Sequence, residues 1–303
     1  MDSLLQHPDG RKLQTNGITL HVVEAGPVDG ALVILLHGFP EFWYGWRSQI
    51  VALSAAGYRV LAPDQRGYNL SDKPKGIAAY NLDALAADVI GLIDASGREK
   101  AYVVGHDWGG AVAWWTAVKY PQRVEKVAIL NAPHPKVMRW NLLHNRAQRR
   151  KSWYMFLFQM PFLPEWRMRR ANWEIGQRAL QGTSRPGTFS EADIALYRQA
   201  WSQPDAARGM INWYRAALQR RPQPYGRRCV ASSRVTVPAL MIWGMRDKFL
   251  GRELAEQSVD LCDNGKLVWV EGAGHWVQHE EPQHVNALLQ QFFVTDPVIQ
   301  HSC

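Results

Sequence analysis

The stretch AYVVGHDWGGAVAWWTAV, residues 101–118, places an acidic residue between two apolar runs. The first run is short and rich in valine, which is typical of a strand buried in a parallel sheet. The second run has the composition of a helix that packs on such a sheet. Closely spaced glycines predict a sharp strand-to-helix turn with Asp107 at its tip. Asp107 also suits the N-cap of the helix, so the stretch alone leaves a structural and a chemical role open.

Similar apolar runs recur along the chain, as ALVILLHG, YRVLAPD, KVAILNAP, PALMIWG and KLVWVEG. Helical stretches such as NLDALAADVIGLIDAS and VNALLQQFF lie between or after them. Near the N-terminus, TNGITLHVVEAG indicates a further strand with a turn at Asn16–Gly17. Strands that alternate with helices predict an α/β fold with a doubly wound, mostly parallel sheet.

The alternation stops after Pro135 and resumes at TVPALMIWG. The segment between is rich in Trp, Arg and helix-forming residues, and it lacks the runs typical of buried strands. We therefore predict a core of residues 1–133 and 229–303, with a helical cap of residues 134–228 inserted into it. Such a cap would cover the carboxyl ends of the strands, where open α/β sheets bind ligands.

The composition sets limits on the class of protein. A chain of 303 residues that is 47% hydrophobic can form one large α/β domain with an insertion. It has no apolar run long enough to cross a membrane, and its first residues do not resemble a secretory signal. The cysteines, Cys229, Cys262 and Cys303, lack metal-binding spacing and predict free thiols in a reducing compartment. We expect a cytoplasmic location and no bound metal.

The net charge of +8 is unevenly distributed. Between His134 and Arg234 there are 19 Lys or Arg residues against five Asp or Glu residues. Such a segment can contact nucleic acid, an anionic membrane surface or an anionic ligand, or it can be a solvated face. No nucleic-acid-binding motif organises these residues, so no nucleic-acid partner is expected.

Two acidic or basic side chains follow later strands of the predicted sheet. Asp247 lies in WGMRDKFL, and His275 lies in the glycine-flanked EGAGHW. Asp247 alone could be a surface acid or a helix cap, and His275 alone could be a histidine with a structural role. However, Asp107, Asp247 and His275 occur in the nucleophile–acid–histidine order of α/β-hydrolases. The order therefore predicts a catalytic triad.

The motif HGFP, residues 37–40, follows the first long buried strand. In hydrolases of this architecture, the loop after that strand supplies one backbone N–H of an oxyanion hole. An ordinary Gly-Pro turn is the alternative. We predict that the N–H groups of Phe39 and Trp108 form the oxyanion hole, with His37, Gly38 and Pro40 supporting the loop.

An aspartate in place of the usual serine nucleophile changes the expected substrate. A carboxylate that attacks an sp3 carbon forms an ester, which water can cleave at the carboxyl carbon. Serine attacking the same carbon would form an ether, which water does not readily cleave. Asp107 thus favours an epoxide or an alkyl halide as substrate, with His275 oriented by Asp247 to activate water.

Two tyrosines in the predicted cap distinguish these substrates. Tyr154 lies in SWYMFLFQMP and Tyr214 in INWYRAAL. A tyrosine, with an ordinary pKa of about 10, stays protonated near neutral pH and can protonate an epoxide oxygen. Packing in an aromatic-rich cap is the structural alternative for either residue.

Over essentially its whole length the chain resembles the α/β-hydrolase-fold epoxide hydrolases of the soluble type. The resemblance rests on HGFP, DQRGY, GHDWGG, WYMFLFQMP, NWYRA, RDKFL and GAGHWVQHEEP. It implies Asp107 as nucleophile, His275 as base, Asp247 as its acidic partner, and Tyr154 and Tyr214 as the groups that polarise and protonate the epoxide. The implied product is a vicinal diol from a lipophilic epoxide, with no cofactor.

Two other functions remain as alternatives. Dehalogenases that act on haloalkanes or haloacetates are the first alternative. Haloalkane dehalogenases also carry Trp after the nucleophile but commonly have a polar residue at the position of Phe39. Dehalogenases of the fluoroacetate type are similar at HGFP but carry Arg at the position of Trp108. A non-catalytic binding protein on a hydrolase scaffold is the alternative of another class. The basic cap could favour epoxides with a remote anionic group, and a homodimer is possible.

Overall fold

The computed structural model describes residues 10–219 and 233–294. In this part of the chain, eight strands form a single sheet in the order β1-β2-β4-β3-β5-β6-β7-β8. Strands β3 to β8 are parallel, and β1 and β2 are antiparallel to their neighbours. The strands are β1 (Arg11–Thr15), β2 (Ile18–Ala25), β3 (Leu32–Leu36), β4 (Arg59–Pro63), β5 (Ala101–His106), β6 (Val124–Leu130), β7 (Ala239–Gly244) and β8 (Gly265–Val270).

The turn at Asn16–Gly17 joins β1 to β2. Both residues have positive φ angles, 45° and 75°, and Thr15 pairs directly with Ile18. A two-residue hairpin of this type matches the twist of the strands and favours Asn-Gly, which confirms the turn expected from the sequence.

The central strands explain the continuous apolar runs in the sequence. Every residue of β3, β4 and β7 is buried. Strands of a parallel sheet are covered on both faces by the helices that connect them, so both side-chain directions must be apolar. The doubly wound, mostly parallel sheet is confirmed.

Helices cover both faces of this sheet. On one face α2 packs against α3, and on the other α1 packs against α13. The helices are α1 (Arg47–Ala55), α2 (Leu82–Ala95), α3 (Trp108–Lys119), α4 (Pro135–His144), α5 (Arg146–Lys151), α6 (Trp153–Leu157), α7 (Leu163–Arg169), α8 (Glu174–Gln181), α9 (Glu191–Trp201), α10 (Ala206–Leu218), α11 (Glu253–Val259), α12 (Val277–Glu280) and α13 (Pro282–Val294), with 3₁₀ turns at Trp43–Trp46, Ile77–Tyr80, Pro121–Arg123 and Arg170–Trp173.

Helices α4 to α10 fill the described part of the chain between β6 and β7. They contact loops that follow the strands: Trp201 Nε1 donates to the Pro40 carbonyl at 2.5 Å, and Trp213 Nε1 donates to the Arg66 carbonyl at 2.9 Å. These contacts hold the helices over the carboxyl edge of the sheet. We propose that they form the cap of residues 134–228; its far boundary lies outside the described residues.

Candidate active site

Asp107 occupies the turn between β5 and α3. Its backbone angles, φ 51° and ψ −120°, are rare for a residue with a side chain and cost roughly 1–3 kcal/mol. The turn can form because a glycine stands two residues after Asp107. A Cβ on Gly109 would collide with the carbonyl oxygens of Leu36 and His37, so a larger residue would keep the helix away from the sheet. The strained turn presents the Asp107 side chain above the end of the sheet.

The carboxylate of Asp107 does not cap α3. No hydrogen bond joins this side chain to the backbone of α3. Instead, Oδ1 accepts a hydrogen bond from the Phe39 N–H at 2.8 Å. The N-cap alternative raised by the sequence is therefore wrong for the side chain, because the turn directs it toward the HGFP loop.

Of the two N–H groups expected to form the oxyanion hole, only that of Phe39 donates a hydrogen bond to Asp107 among the described residues. Phe39 already donates to the Asp107 carboxylate. Within residues 10–219 and 233–294, no hydrogen bond joins the Trp108 N–H to Asp107. As the first residue of α3, Trp108 has an N–H without an acceptor in its own helix. Its role as second donor stays a prediction.

The loop that carries Phe39 is held by buried polar contacts. The His37 ring lies 3.0 Å from the Gly38 carbonyl through Nδ1, and its Nε2 accepts from the Gln65 N–H at 3.0 Å. Burial lowers the pKa of His37, which matches this neutral, bonded ring. The Phe39–Pro40 peptide bond is cis. These contacts support the loop and involve no reacting group.

His275 lies between two carboxylates. Its Nδ1 is 2.8 Å from Asp247 Oδ2, and its Nε2 is 3.6 Å from Asp107 Oδ2. The three side chains come from the loops after β8, β7 and β5, as the sequence order predicts. The second Asp247 oxygen accepts from the N–H groups of Phe249 and Leu250 at 2.7 and 2.9 Å.

The two carboxylates control the charge of the imidazole. Burial by itself would lower the pKa of His275, but Asp247 and Asp107 outweigh it and raise the pKa to about 10. The ring is therefore positively charged at neutral pH while Asp107 is ionised. Loss of the Asp107 charge would remove one of these partners and lower the pKa toward the range of a general base.

Asn131 is a site residue that the sequence reasoning did not identify. Its Nδ2 donates to Asp247 Oδ2 at 2.8 Å, and its Oδ1 accepts from the Gly244 N–H at 2.8 Å. It follows β6 in the motif LNAP, at the same edge of the sheet as the triad. A polar residue directly after a buried strand was the available signal.

The cap brings Tyr154, on α6, and Tyr214, on α10, together. Their ring centroids are 5.8 Å apart. The Tyr214 ring packs edge-on against Phe39 at 5.2 Å and Trp108 at 5.0 Å, the residues that frame Asp107. Burial raises the pKa of both tyrosines, and the Asp107 charge raises it further. Both hydroxyls therefore remain proton donors at neutral pH.

A buried polar network behind His275 was also missed. His106 contacts the His275 carbonyl through Nε2 at 2.8 Å and Glu41 through Nδ1 at 3.0 Å. The same Nδ1 lies 3.1 Å from Gln278 Nε2, so this ring nitrogen faces both a carboxylate and an amide group. Three further groups contact Glu41: Tyr197, Gln278 and His279.

The charge of Glu41 is consistent with this network. Burial would raise its pKa, but His279 and His106 hold the pKa well below its usual range. Glu41 directly follows HGFP, and His106 directly precedes Asp107. These positions beside the two motifs were the available signal in the sequence. No local pattern indicates that Glu41 and His106 contact each other.

Within residues 10–219 and 233–294, no cluster of three His, Cys, Asp or Glu side chains is arranged to hold a metal ion. Cys262 is a buried free thiol, and burial raises its pKa to about 12. Cys229 and Cys303 lie outside the described residues. Among the described helices, none has the length and apolar character needed to cross a membrane.

Comparison with known proteins shows the family of the chain and proteins that are similar to it. The model of the alpha/beta hydrolase fold family matches residues 31–282. AB hydrolase superfamily protein YfhM of Bacillus subtilis is 49% identical over 94% of this chain and 98% of its own length. Epoxide hydrolase 1 of Caenorhabditis elegans is 37% identical, over 96% of this chain and 71% of that protein. A solved epoxide hydrolase from Bacillus megaterium superimposes with a TM-score of 0.83 at 29% identity, covering 94% of this chain and 100% of that one.

Proposed function

The chain belongs to the α/β-hydrolase fold family, and we propose that it hydrolyses lipophilic epoxides to vicinal diols through an ester on Asp107. The site residues carry the proposal, and relatives named as epoxide hydrolases support it. The observation that favours an epoxide as substrate is the tyrosine pair: the rings of Tyr154 on α6 and Tyr214 on α10 lie 5.8 Å apart, and burial together with the Asp107 charge raises the pKa of both hydroxyls.

The first step alkylates the enzyme. An Asp107 carboxylate oxygen attacks a ring carbon of the epoxide, and the bond from that carbon to the ring oxygen breaks. Tyr154 and Tyr214 polarise the ring oxygen, and one of them gives it a proton. The products are a hydroxyalkyl ester on Asp107 and a tyrosinate.

The second step breaks the ester at its acyl side. With Asp107 esterified, His275 loses a charged partner, its pKa falls, and it releases its second proton to solvent, from which it takes one up again once Asp107 is ionised. The neutral ring can then take a proton from water, which attacks the Asp107 carboxyl carbon. The oxyanion that forms is stabilised by the Phe39 N–H and, we propose, by the Trp108 N–H. Protonated His275 returns its proton to the leaving diol oxygen. The released carboxylic acid proton restores the tyrosine.

Asp107→Ala tests the nucleophile, because it removes the attacking group. Diol formation should fall to background, whereas unchanged diol formation would exclude this mechanism. A single turnover in oxygen-18 water provides a second test. The first diol should contain unlabelled oxygen from Asp107, and full labelling on that turnover would exclude the ester.

The alternatives give different products. A dehalogenase would release halide from chloroalkanes or haloacetates and form no diol from epoxides. A binding protein would bind an epoxide mimic without turnover. A panel of terminal, internal and aryl epoxides, assayed for diol, separates these outcomes and defines the preferred substrate.

The expectations of a cytoplasmic location and a homodimer are also proposals. The location rests on the cysteine spacing, and cell fractionation tests it. The dimer is tested by light scattering of the purified chain.

A further inference from the structure

The outer surface of the cap concentrates exposed apolar side chains. Thirteen large hydrophobic side chains are exposed in the described residues, and eight of them lie between residues 139 and 170. Large exposed apolar patches on monomeric proteins usually mark interaction surfaces. We define the cap patch as the six within residues 153–166: Trp153, Phe156, Met160, Phe162, Leu163 and Trp166.

Helix α6 places the patch directly behind the candidate active site. Trp153, which is 63% exposed, and Phe156 lie three positions apart and face outward. Met155, between them in sequence, is buried, and Tyr154 contacts Tyr214 in the site. The helix therefore separates the active site from the outer surface by its own thickness.

The patch continues onto α7 through its most exposed members. Phe162, directly before α7, is 84% exposed, and Trp166 is 52% exposed. The guanidinium of Arg170 lies 4.5 Å from the centre of the Trp166 ring. Aromatic rings beside arginine side chains are typical of surfaces that meet the headgroup region of a bilayer.

The segment that carries the patch is strongly basic. Residues 139–170 contain eight Arg or Lys residues and one acidic residue, Glu165. Glu165 is itself paired with Arg215 at 2.5 Å. The exposed basic residues include Arg149 and Arg150 before the patch and Arg167 after it. A surface of this charge attracts an anionic partner.

We propose that the cap patch and its flanking arginines bind the surface of an anionic lipid bilayer. Apolar and aromatic side chains would enter the interface while the arginines contact the headgroups. The cap would then lie on the phase in which lipophilic molecules are dissolved. The binding proposal itself is independent of the proposed function.

Two other occupants fit the observations less well. A symmetric dimer through this patch would bring two copies of the same basic surface together, and the nearby acids Glu165 and Asp205 are already paired with Arg215 and Arg208. Nucleic acid would neutralise the arginines, but its phosphates offer no partner for Met160 and Leu163. An anionic bilayer satisfies both the charge and the apolar side chains.

Vesicle flotation of the full chain tests the proposal. The protein should float with phosphatidylcholine vesicles containing 30% phosphatidylglycerol, and remain largely at the bottom with pure phosphatidylcholine. Raising the salt concentration should weaken binding, because exposed charges are screened. Absence of flotation with anionic vesicles at low salt would overturn the proposal.

Matched variants assign the effect to this surface. Phe162→Ser with Trp166→Ser, and separately Arg149→Gln with Arg150→Gln, should each reduce the floating fraction at least threefold. Val28→Ser, an exposed apolar residue on the core, and Lys75→Gln with Lys266→Gln, exposed basic residues on the core, should not. Patch variants that float like the unchanged chain would overturn the proposal.

Further readouts separate binding from folding and from catalysis. The variants should keep the melting temperature of the unchanged chain and its rate of diol formation from a dissolved epoxide. If the chain forms no diol at all, the proposed function fails, while vesicle flotation still tests the membrane-binding proposal. Light scattering that shows a dimer lost in the Phe162/Trp166 variant, without any vesicle binding, would assign the patch to a second copy. Retention of a labelled oligonucleotide without vesicle binding would assign it to nucleic acid.

Discussion

At the scale of single residues, the chemistry depends on how Asp107 shares its two oxygens. One accepts the Phe39 N–H, and the other lies 3.6 Å from His275. In the proposed mechanism, the oxyanion donor and the base are thus in position before substrate binds. His275 also senses whether Asp107 is charged, which gives the two chemical steps different pH requirements.

His275→Gln should separate the two steps. Alkylation does not require the imidazole, but water activation does, so the ester on Asp107 should accumulate. Steady-state diol formation should fall by roughly 10²–10⁴-fold, the usual effect of a general base. Mass spectrometry of the intact protein after mixing with epoxide should show an adduct of the epoxide's mass. A variant that turns over normally, or forms no adduct, would contradict the assignment.

The pH dependence of the two steps should differ. The tyrosines keep their protons well above neutral pH, so the alkylation rate should stay level from about pH 6 to 9, as expected from their ordinary pKa of about 10 and its upward shift. Ester hydrolysis needs neutral His275, whose pKa falls from about 10 once Asp107 is esterified. Hydrolysis should therefore rise with pH and level off below pH 10. Stopped-flow fluorescence resolves the alkylation and hydrolysis phases. A hydrolysis rate that falls as the pH rises would contradict the role of neutral His275.

Removing the tyrosine hydroxyls should affect only the first step. Tyr154→Phe and Tyr214→Phe each leave one donor, so alkylation should slow by about 10²-fold in each, and the double variant should lose it almost entirely. Phe158, which packs against Tyr214 at 4.9 Å, offers a control: Phe158→Leu keeps both hydroxyls and should slow alkylation much less. Single-turnover rates measure this, and equal losses in control and tyrosine variants would indicate a packing role.

At the scale of elements, the strand-to-helix turn depends on glycines that allow close packing. Gly109 lies against the carbonyl oxygens at the end of β3, and its helix could not approach the sheet with a larger residue. The sequence predicted this turn well, because the apolar runs and the glycines are local signals. The same holds for the hairpin at Asn16–Gly17.

Gly109→Ala should destabilise the protein by at least about 1–3 kcal/mol through overpacking, and displace Asp107. Gly76→Ala is a matched control: its φ is −78° and an added Cβ would meet no atom within 4 Å. It should be neutral or slightly stabilising. Melting temperatures and diol formation measure both, and a Gly109→Ala protein of unchanged activity would contradict this account of the turn.

At the scale of the whole molecule, Glu41 joins the cap to the core. It contacts Tyr197 on α9 of the cap, together with His106 and His279 of the core. A buried charge with this many partners is costly to leave unbalanced. The network therefore ties the position of the cap to the backbone carbonyl of His275.

Glu41→Gln should lower stability by about 1–3 kcal/mol, because Tyr197, Gln278 and His279 would lose the charged acceptor that they share in the interior. Since the pKa of Glu41 is lowered on folding, its contribution is present above the unfolded pKa of about 4.3 and is lost as the pH falls through the lower folded pKa. The variant should thus lose most stability near neutral pH. Glu125→Gln, in an exposed pair with Lys100, should cost at most about 1 kcal/mol. Denaturant unfolding at pH 7 measures both; equal losses would contradict the network's role.

The amino-acid sequence determined the strands, the nucleophile turn, the triad order and the two tyrosine motifs, because each is written in short-range patterns of polarity, glycine and residue type. Only the tertiary structure decided that Asn131 holds Asp247, that Glu41 and His106 lie behind His275, and that Asp107 bonds to Phe39 instead of capping its helix. These contacts join residues up to 169 positions apart in the sequence. A buried polar group must find a partner, but local sequence does not specify which distant segment brings it.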